Sequence, residues 1–515
     1  MPWIHGQASL EDWENRFPSC DAVPTVRCED LSPGAFRAEY MSKNMPVMIS
    51  GLTEGWRARR EWVTKDGQPD VAAMSELFGD AKVLVVDCDE QIDTDLKRRE
   101  LPFREFARWW RSSESRKRPS AGADAREKLY VKDWNFVGDF PAYRAYDTPP
   151  HVRDDWLNAQ SWEDDDDDDE ENETEKRATA RDPTRLRPGS YRFVYCGVEG
   201  TWTPMHVDVA RSYSWSVNVC GRKKWLLVPP SRAKHLRHRD GSGRLIPDIR
   251  AARLEAIRAE YPDAARAAPI TVDQPPGALL FVPSCWAHQV HNETDCVSIN
   301  HNWLNDCAFG ASAAYLRNEL RLIRGGLPDR DDRADGVLCQ QLLARKAGIN
   351  QLQLGAIGAR GLGRVLRQLR GQTSSEAARD ARARLANVFE PLQHLVHETH
   401  FFAVREVCER EYGERHHGPT FEEGLEFWHR AGNPVGDRVG VCVSAPCGAR
   451  NAREAESLSR EGADAFVESF DVDPWEENVD RLSEIARILR RACDAVRDED
   501  EDEDEDEARV DREPP

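Results

Sequence analysis

The chain has 515 residues, more than one small domain needs, and a formal net charge of −21. Two acidic runs account for that charge, since residues 163–175 hold 11 acidic side chains and residues 498–507 hold 10. The rest of the chain is close to neutral, so its charge does not favour binding to a nucleic-acid backbone. We expect both acidic runs to be solvated and disordered.

The cysteines and the apolar pattern bear on location. The chain has 13 cysteines without any CxxC pair, which indicates reduced thiols in an intracellular protein. Its start, MPWIHGQASLEDWENRF, has no apolar signal core, and no run approaches the roughly 18 apolar residues of a membrane span. We therefore expect a cytoplasmic protein that does not enter the membrane. The basic RKRP at 116–119 is a weak signal for an additional nuclear location, with a solvated loop as the alternative.

Helices and strands alternate in the first part of the chain. MPVMISG at 45–51 and KVLVVDCDE at 82–90 are typical of buried strands. FREFARWW at 103–110 predicts a helix, and YVKDWNF at 130–136 predicts a further strand. We therefore predict an N-terminal α/β part over residues 1–160.

Strand signals dominate residues 189–308, after an acidic insertion that we assign to 161–188. The segments are short, rich in β-branched and aromatic residues, and separated by Gly or Pro; they include YRFVYCG, SYSWSVNVCG, KKWLLVPP, ALLFVPSCW, HQVHN and CVSINHNW. This pattern predicts an antiparallel barrel or jelly roll, with a helix inserted at 250–266. A helical C-terminal region is predicted over 309–495, followed by an acidic, disordered tail over 496–515.

The segment TPMHVDVARSYSW places His206 and Asp208 two residues apart in a strand-like stretch. Residues i and i+2 of a strand face the same way, so the imidazole and the carboxylate are expected to share one side. His288, in VPSCWAHQVHN, is the candidate third ligand from a neighbouring strand. Two histidines and one carboxylate leave coordination positions open, which suits non-haem Fe(II) working with O₂. A hydrogen-bonded structural histidine is the alternative for a single one of these residues.

The stretch SYSWSVNVCG alternates polar and apolar side chains. Ser214, Ser216 and Asn218 fall on one face, and the residues of the other face are Tyr213, Trp215, Val217 and Val219. A barrel interior lined with hydroxyls and an amide is expected to hold a small polar ligand. Lys223 follows in GRKKWLLVPP, and a cation inside the barrel would require an anion such as a ligand carboxylate. The alternative is that Lys223 and Lys224 are both solvated turn residues.

Several strings resemble the JmjC (jumonji C) family of 2-oxoglutarate-dependent oxygenases. They are TPMHVD, GRKKWLLVPP, FVPSCWAHQVHN and SINHNW, and the resemblance runs through most of residues 40–310. It implies a double-stranded β-helix, a jelly-roll or cupin-like fold that is mainly β with added α, followed by the helical C-terminal region. It also implies Fe(II), 2-oxoglutarate and O₂ as cofactor and cosubstrates.

The resemblance also assigns roles to residues. Fe(II) would be held by His206, Asp208 and His288, and Lys223 would pair with the far carboxylate of 2-oxoglutarate. The other positions assigned to the cosubstrate by resemblance are Thr203, Asn302 and Asn300, with Ser216 and Asn218 supported mainly by the alternation. His291, three residues after His288, is expected on the opposite strand face in a structural role.

Within this family the strings SWSVNVCGRKKWLL and SINHNWLN are most similar to members that hydroxylate a lysine of translation release factor 1 at C4. The resemblance thus implies a protein-lysine hydroxylase that promotes translation termination, with release factor 1 as partner. One alternative is a histone or other protein lysine demethylase, because hydroxylating an N-methyl group releases it. Another is a non-catalytic cupin-like interaction protein whose acidic tracts bind basic partners. The sequence leaves the oligomeric state open.

Overall fold

The computed structural model describes residues 9–17, 19–92, 95–112, 128–158, 191–326 and 332–351, with individual positions up to Leu395. The predicted acidic insertion, the acidic tail, the RKRP patch and most of the helical region after 351 lie outside these residues. The domain boundaries predicted at 160, 188 and 495 fall there as well and stay predictions.

Ten α-helices are named here, and most are short. Their bounds are α1 Leu10–Arg16, α2 Pro33–Phe36, α3 Arg57–Glu61, α4 Val71–Phe78, α5 Phe103–Arg111, α6 Phe136–Asp139, α7 Pro230–Ala233, α8 Glu255–Glu260, α9 Asp306–Gly326 and α10 Asp332–Ala347. Among the described residues, none of these helices is long and apolar enough to cross a membrane.

Thirteen strands are named in the same residues. They are β1 Thr25–Arg27, β2 Val47–Ser50, β3 Lys82–Ile92, β4 Asp95–Pro102, β5 Leu129–Trp134, β6 Arg192–Gly197, β7 Trp202–His206, β8 Tyr213–Cys220, β9 Lys223–Val228, β10 Ile270–Gln274, β11 Leu279–Val282, β12 Ala287–Asn292 and β13 Cys296–Trp303. The strands predicted at 45–51, 82–90 and 130–136 and the helix at 103–110 are confirmed.

The prediction of a single helix over 250–266 is wrong, because the helix in the structure is much shorter. The α-helix covers only Glu255–Glu260, and 3₁₀ turns at Ile249–Ala251 and Ala264–Ala267 flank it. Pro262 explains the early end, because the residue before a proline is pushed out of the helical region. Tyr261 accordingly has φ −123° and ψ 68°.

Two sheets form the β core. The larger has the order β1-β2-β11-β8-β13-β6-β5-β3-β4, and the smaller has the order β10-β9-β12-β7. All recorded pairings are antiparallel except β1 with β2. This is the cupin-like double-stranded β-helix that the sequence predicts.

Apolar side chains from both sheets meet between them. The buried cluster combines residues of β9 and β10 with residues of β11, and its members are Trp225, Leu227, Ile270, Val272, Leu280, Val282, Trp286 and Val290. Burying such side chains stabilises a fold by about 1.5–3 kcal/mol each. The cluster fills one part of the space between the sheets and leaves the polar part described below.

The helices after residue 304 belong to a second compact unit, which is described by itself. α9 and α10 contact each other, and Lys346 Nζ lies 2.6 Å from Glu319 Oε2 across the pair. The helical character predicted from 309 onward is confirmed for these two helices.

A glycine turn joins β8 to β9 and so places Lys223 at the start of its strand. Gly221 has φ +80°, and an added Cβ would lie 2.2 Å from the carbonyl oxygen of Asp295. The turn therefore depends on the missing side chain as well as on the left-handed backbone.

We predict that Gly221→Ala lowers the free energy of unfolding by at least about 2 kcal/mol, because the left-handed conformation and the backbone clash add. Urea unfolding followed by circular dichroism measures the change. Gly241→Ala is the matched control, since Gly241 has φ +76° but no atom within 4 Å of the added Cβ. Equal losses in the two variants would contradict the role of the clash.

Candidate functional site

The ladder between β7 and β12 brings two histidines together. His206 ends β7, and its Cα partner on β12 is His288. Their ring centroids are 4.2 Å apart, and His288 Nε2 lies 3.8 Å from Asp208 Oδ2. One ligand atom from each of the three residues lies within 4.8 Å of the others, and no other such group of three occurs among the described residues. The predicted ligands are therefore assembled at one point.

The two imidazole rings are oriented alike by the backbone. His206 Nδ1 lies 2.8 Å from the carbonyl oxygen of Pro204, and His288 Nδ1 lies 3.1 Å from that of Trp286. A carbonyl oxygen can only accept, so each Nδ1 carries the proton and each Nε2 is left free for a metal. Burial and the neighbouring His288 lower the pKa of His206, so its ring stays neutral at physiological pH, as metal binding requires.

Asp208 does not lie on the strand, which corrects the prediction from the sequence. β7 ends at His206, and a 3₁₀ turn at Val209–Arg211 follows Asp208. Ala210 and Arg211 have φ +49° and +58°, and Ser284 Oγ donates to the carbonyl oxygen of Arg211 over 2.6 Å. The carboxylate thus reaches the two histidines from a strained turn. The prediction that His206 and Asp208 are close because they share one face of a strand is therefore wrong.

Ser214 orients the carboxylate. Its Oγ donates to Asp208 Oδ2 over 2.7 Å from β8. The predicted alternation places this hydroxyl inside the barrel, although the sequence did not predict its contact with Asp208. Hydrogen bonds to ligating carboxylates hold them in the geometry that a metal needs.

Lys223 is inside the protein, and the alternative of a solvated turn residue is wrong for it. Its side chain is only 2% exposed, and Nζ donates to the hydroxyl of Tyr130 over 3.0 Å. Nζ also lies 5.6 Å and 5.7 Å from the ring centroids of Tyr130 and Tyr195. Burial lowers the pKa of Lys223. Lys224, in contrast, is half-exposed and pairs with Glu293 and Asp273.

Tyr130 is a site residue that the sequence analysis missed. It lies on β5 of the larger sheet, whereas Lys223 lies on β9 of the smaller one. An added Cβ on Gly197 would lie 2.5 Å from the Tyr130 ring and 2.9 Å from Asn292 Nδ2, so this glycine makes room for both. Burial raises the pKa of Tyr130, so its hydroxyl keeps its proton and can donate to an anion.

The other predicted cosubstrate residues differ in whether their polar side-chain atoms already have hydrogen-bond partners. The hydroxyl of Ser216 and the Oδ1 of Asn300, which are buried and face each other across β8 and β13, have no hydrogen-bond partner among the described residues. Asn218 is already bonded, because its Nδ2 donates to the carbonyl oxygen of Gln274 over 2.9 Å. Asn302 Nδ2 contacts Ser212 Oγ at 3.3 Å, and Thr203 pairs with Val290 in the β7–β12 ladder.

The side chain of His291 lies outside the barrel, as predicted. It stacks on Trp202 with ring centroids 5.7 Å apart and an interplanar angle of 7°, and its Nε2 lies 2.8 Å from Gln289 Nε2. Burial lowers the pKa of His291 to about 4. These contacts fit a structural role.

The donor set fits a divalent transition metal. Two histidine Nε2 atoms and one carboxylate surround a single point and leave positions open. The unpartnered polar atoms of Ser216 and Asn300 line the same barrel interior, together with the buried ammonium of Lys223. A small dianion that binds both the metal and Lys223 would offset the buried ammonium and could accept a hydrogen bond from the Ser216 hydroxyl.

We predict that Ser214→Ala weakens Co(II) binding by about tenfold, because the Asp208 carboxylate loses its orienting donor. Titration of the metal-free protein with Co(II), followed by visible absorption, measures the affinity. Ser231→Ala, on α7 away from the triad, is the control and should bind Co(II) as the wild type does. An unchanged Co(II) affinity in Ser214→Ala would contradict the role of Ser214 in orienting the Asp208 carboxylate.

Comparisons with known proteins agree with this geometry. The Cupin-like domain matches residues 33–309. The Arabidopsis thaliana protein named arginine-specific demethylase JMJ20 is 38% identical over 332 residues, covering 64% of this chain and 67% of the relative. The 2-oxoglutarate and iron-dependent oxygenase JMJD4 of Gallus gallus is 36% identical over 329 residues, covering 63% and 70%.

The Homo sapiens protein of the same JMJD4 name is 35% identical over 327 residues, covering 62% of this chain and 72% of the relative. The Cupin-like match at residues 33–309 includes β2 to β13 and therefore all the residues of the metal site. The chain belongs to the cupin-like JmjC family that includes the JMJD4 2-oxoglutarate- and iron-dependent oxygenases.

Proposed function

We propose that this chain is a 2-oxoglutarate- and iron-dependent oxygenase that hydroxylates a protein side chain. The observation that carries the proposal is the assembly of His206, Asp208 and His288 within 4.8 Å. Three protein ligands hold a metal and leave positions for cosubstrates, whereas a structural metal site is closed by four. The similarity to oxygenases that carry this name supports the same function.

The cosubstrate pocket extends from the triad to Lys223. In this proposal the ammonium of Lys223 and the hydroxyl of Tyr130 bind the far carboxylate of 2-oxoglutarate. Burying a lysine costs free energy unless an anion offsets it, so the bound dianion would be held strongly by this pair. Asn300 and Ser216 supply polar atoms along the path between the two ends.

The side chains position the reactants and protect the site. His206 and His288 present their Nε2 atoms, and Ser214 keeps the Asp208 carboxylate aimed at the metal. The barrel wall around them is buried, which limits access of water. Bound iron, together with 2-oxoglutarate and O₂, would supply the oxidising chemistry that converts a C–H bond into C–OH.

The proposed substrate is a lysine of translation release factor 1, hydroxylated at C4 to promote termination. The resemblance in SWSVNVCGRKKWLL and SINHNWLN, together with the identity of 35% to the human JMJD4 oxygenase, supports this choice. The proposal includes a cytoplasmic location with an additional nuclear pool, and no direct binding to nucleic acid or membrane.

Demethylation is the second candidate function. It is favoured by the identity of 38% to a relative whose name is arginine-specific demethylase. The same centre could carry out both reactions, since oxidation of an N-methyl group yields a hydroxymethyl group that leaves as formaldehyde. A purely binding role is disfavoured, because all three metal ligands and Lys223 are present.

The first expected result is substrate-dependent conversion of 2-oxoglutarate to succinate. The full chain, Fe(II) and release factor 1 are incubated with 2-oxoglutarate, and mass spectrometry reads the substrate. We predict that one lysine gains the mass of one oxygen atom, because the metal site is complete.

His206→Ala is the control and should lose both succinate formation and the added oxygen. A gain of formaldehyde from methylated peptides, without a hydroxylated lysine in release factor 1, would favour demethylation instead. No 2-oxoglutarate turnover with any substrate in iron-loaded protein would contradict the oxygenase function.

We also predict that Lys223→Met raises the Kd for 2-oxoglutarate by about tenfold to 100-fold, since a charge-assisted hydrogen bond is lost. Tyr130→Phe should raise it by about fivefold, because its hydrogen bond is uncharged. Isothermal titration of the Mn(II)-loaded protein measures both values. Lys224→Met removes the same charge from the exposed neighbour and should leave the Kd unchanged; equal effects at the two lysines would contradict the pocket.

A further inference from the structure

The loop at residues 283–286, between β11 and β12, supports two of the three metal ligands. Ser284 Oγ donates to the carbonyl oxygen of Arg211, in the turn that carries the ligating carboxylate, over 2.6 Å. Two residues later, the carbonyl oxygen of Trp286 accepts from His288 Nδ1 over 3.1 Å. The position of this loop therefore sets where the carboxylate and one imidazole lie relative to each other.

The backbone of this loop is strained. Cys285, between the two supporting residues, has φ +65°, in the left-handed region where a residue with a side chain pays a steric cost. Cys285 is also buried, so water does not replace lost contacts of the loop. A strained conformation persists only when the surrounding structure holds it. The residues that clamp the loop therefore bear on the geometry of the metal site.

Asn44 clamps the loop on both sides of Cys285. Its Nδ2 donates to the carbonyl oxygen of Ser284 over 2.9 Å, and its own carbonyl oxygen accepts from Trp286 Nε1 over 3.0 Å. Asn44 is only 1% exposed, so both hydrogen bonds are buried. Breaking a buried hydrogen bond leaves a donor or an acceptor without a partner, which is costly. The two bonds thus close the loop into a ring that is fixed to the N-terminal part of the chain.

Sheet register explains why Asn44 reaches this loop. β2 pairs with β11 in antiparallel orientation, and Val47 lies opposite Phe281. Continuing that register three residues beyond the pair places Asn44 opposite Ser284. Asn44 has φ +55°, a left-handed conformation that asparagine adopts more readily than most residues. The residue type therefore suits both the backbone at this position and the hydrogen bond that its amide makes.

We propose that Asn44 is a positioning residue of the metal site, which fixes Asp208 relative to His288 through the loop at 283–286. The inference rests on the proposed function, because it concerns the same metal site. Asn44 acts through Ser284, which anchors the turn of Asp208, and through the residue whose carbonyl oxygen orients His288. Without the Asn44 amide the strained loop can relax, and the carboxylate is then held less firmly beside the imidazole.

The test uses Asn44→Gly, which keeps the left-handed backbone and the carbonyl oxygen but removes the amide. The metal-free full chain is titrated with Co(II), and visible absorption reports both the affinity and the coordination geometry. We expect Asn44→Gly to weaken Co(II) binding by about fivefold and to change the intensity of the Co(II) bands, because a residue one step beyond the direct partners of the ligands has a smaller effect than those partners. A purely structural role would lower the unfolding temperature and leave the affinity and spectrum of the folded protein unchanged.

Matched variants separate positioning from folding. Lys43→Gly adds a glycine to the same turn at an exposed residue and should bind Co(II) with the affinity and spectrum of the wild type. Ser284→Ala removes the bond from the loop to the turn of Asp208 and should weaken Co(II) binding by a similar factor to Asn44→Gly. The double variant should be little weaker than either single one, because both changes act through one path. Thermal unfolding confirms that each variant is folded before titration.

Two outcomes would overturn the role of Asn44. One is a folded Asn44→Gly protein with the Co(II) affinity and spectrum of the wild type. The other is a double variant whose loss of affinity equals the product of the two single losses, since independent effects multiply. Failure of the proposed function is a different result, in which the wild type shows no Co(II) spectrum or keeps the same spectrum in His206→Ala.

Discussion

The antiparallel pairing of β7 with β12 is the constraint on which the site depends. It sets His206 opposite His288, although the two residues are far apart in the sequence. Side chains alternate along a strand, so a slip of one residue would turn one of the histidines out of the barrel. The pairing of β12 with β9, which places Leu227 beside His288, holds the same register from the other side. The metal site is thus a consequence of sheet register.

The second requirement is the burial of charge between the two sheets. Lys223 enters from the smaller sheet and meets Tyr130 from the larger one, in a space that exists because Gly197 has no side chain. Apolar residues could have filled this space at lower cost, and most of the neighbouring interior is filled in that way. Retaining polar groups here makes the interior a binding pocket instead of a packed core.

Much of this site could be predicted from the sequence, because its signals are local. Alternation in SYSWSVNVCG places Ser214 and Ser216 inside, and the HxD spacing together with His288 identifies the metal ligands. Asp208 shows the limit of that reasoning. It was expected on the strand, but a turn with two left-handed residues carries it, and no periodicity in the sequence records such a turn.

The sequence by itself determined the residue types of the metal site and the strand-rich core, and it favoured an interior position for Lys223, because these follow from side-chain chemistry and the period of a strand. Only the tertiary structure decided that Lys223 is buried against Tyr130 and that Ser214 orients Asp208. The reason is physical: these contacts join strands from different sheets or distant parts of the chain. Pairing between distant strands is fixed by the packing of the whole core and not by neighbours in the sequence.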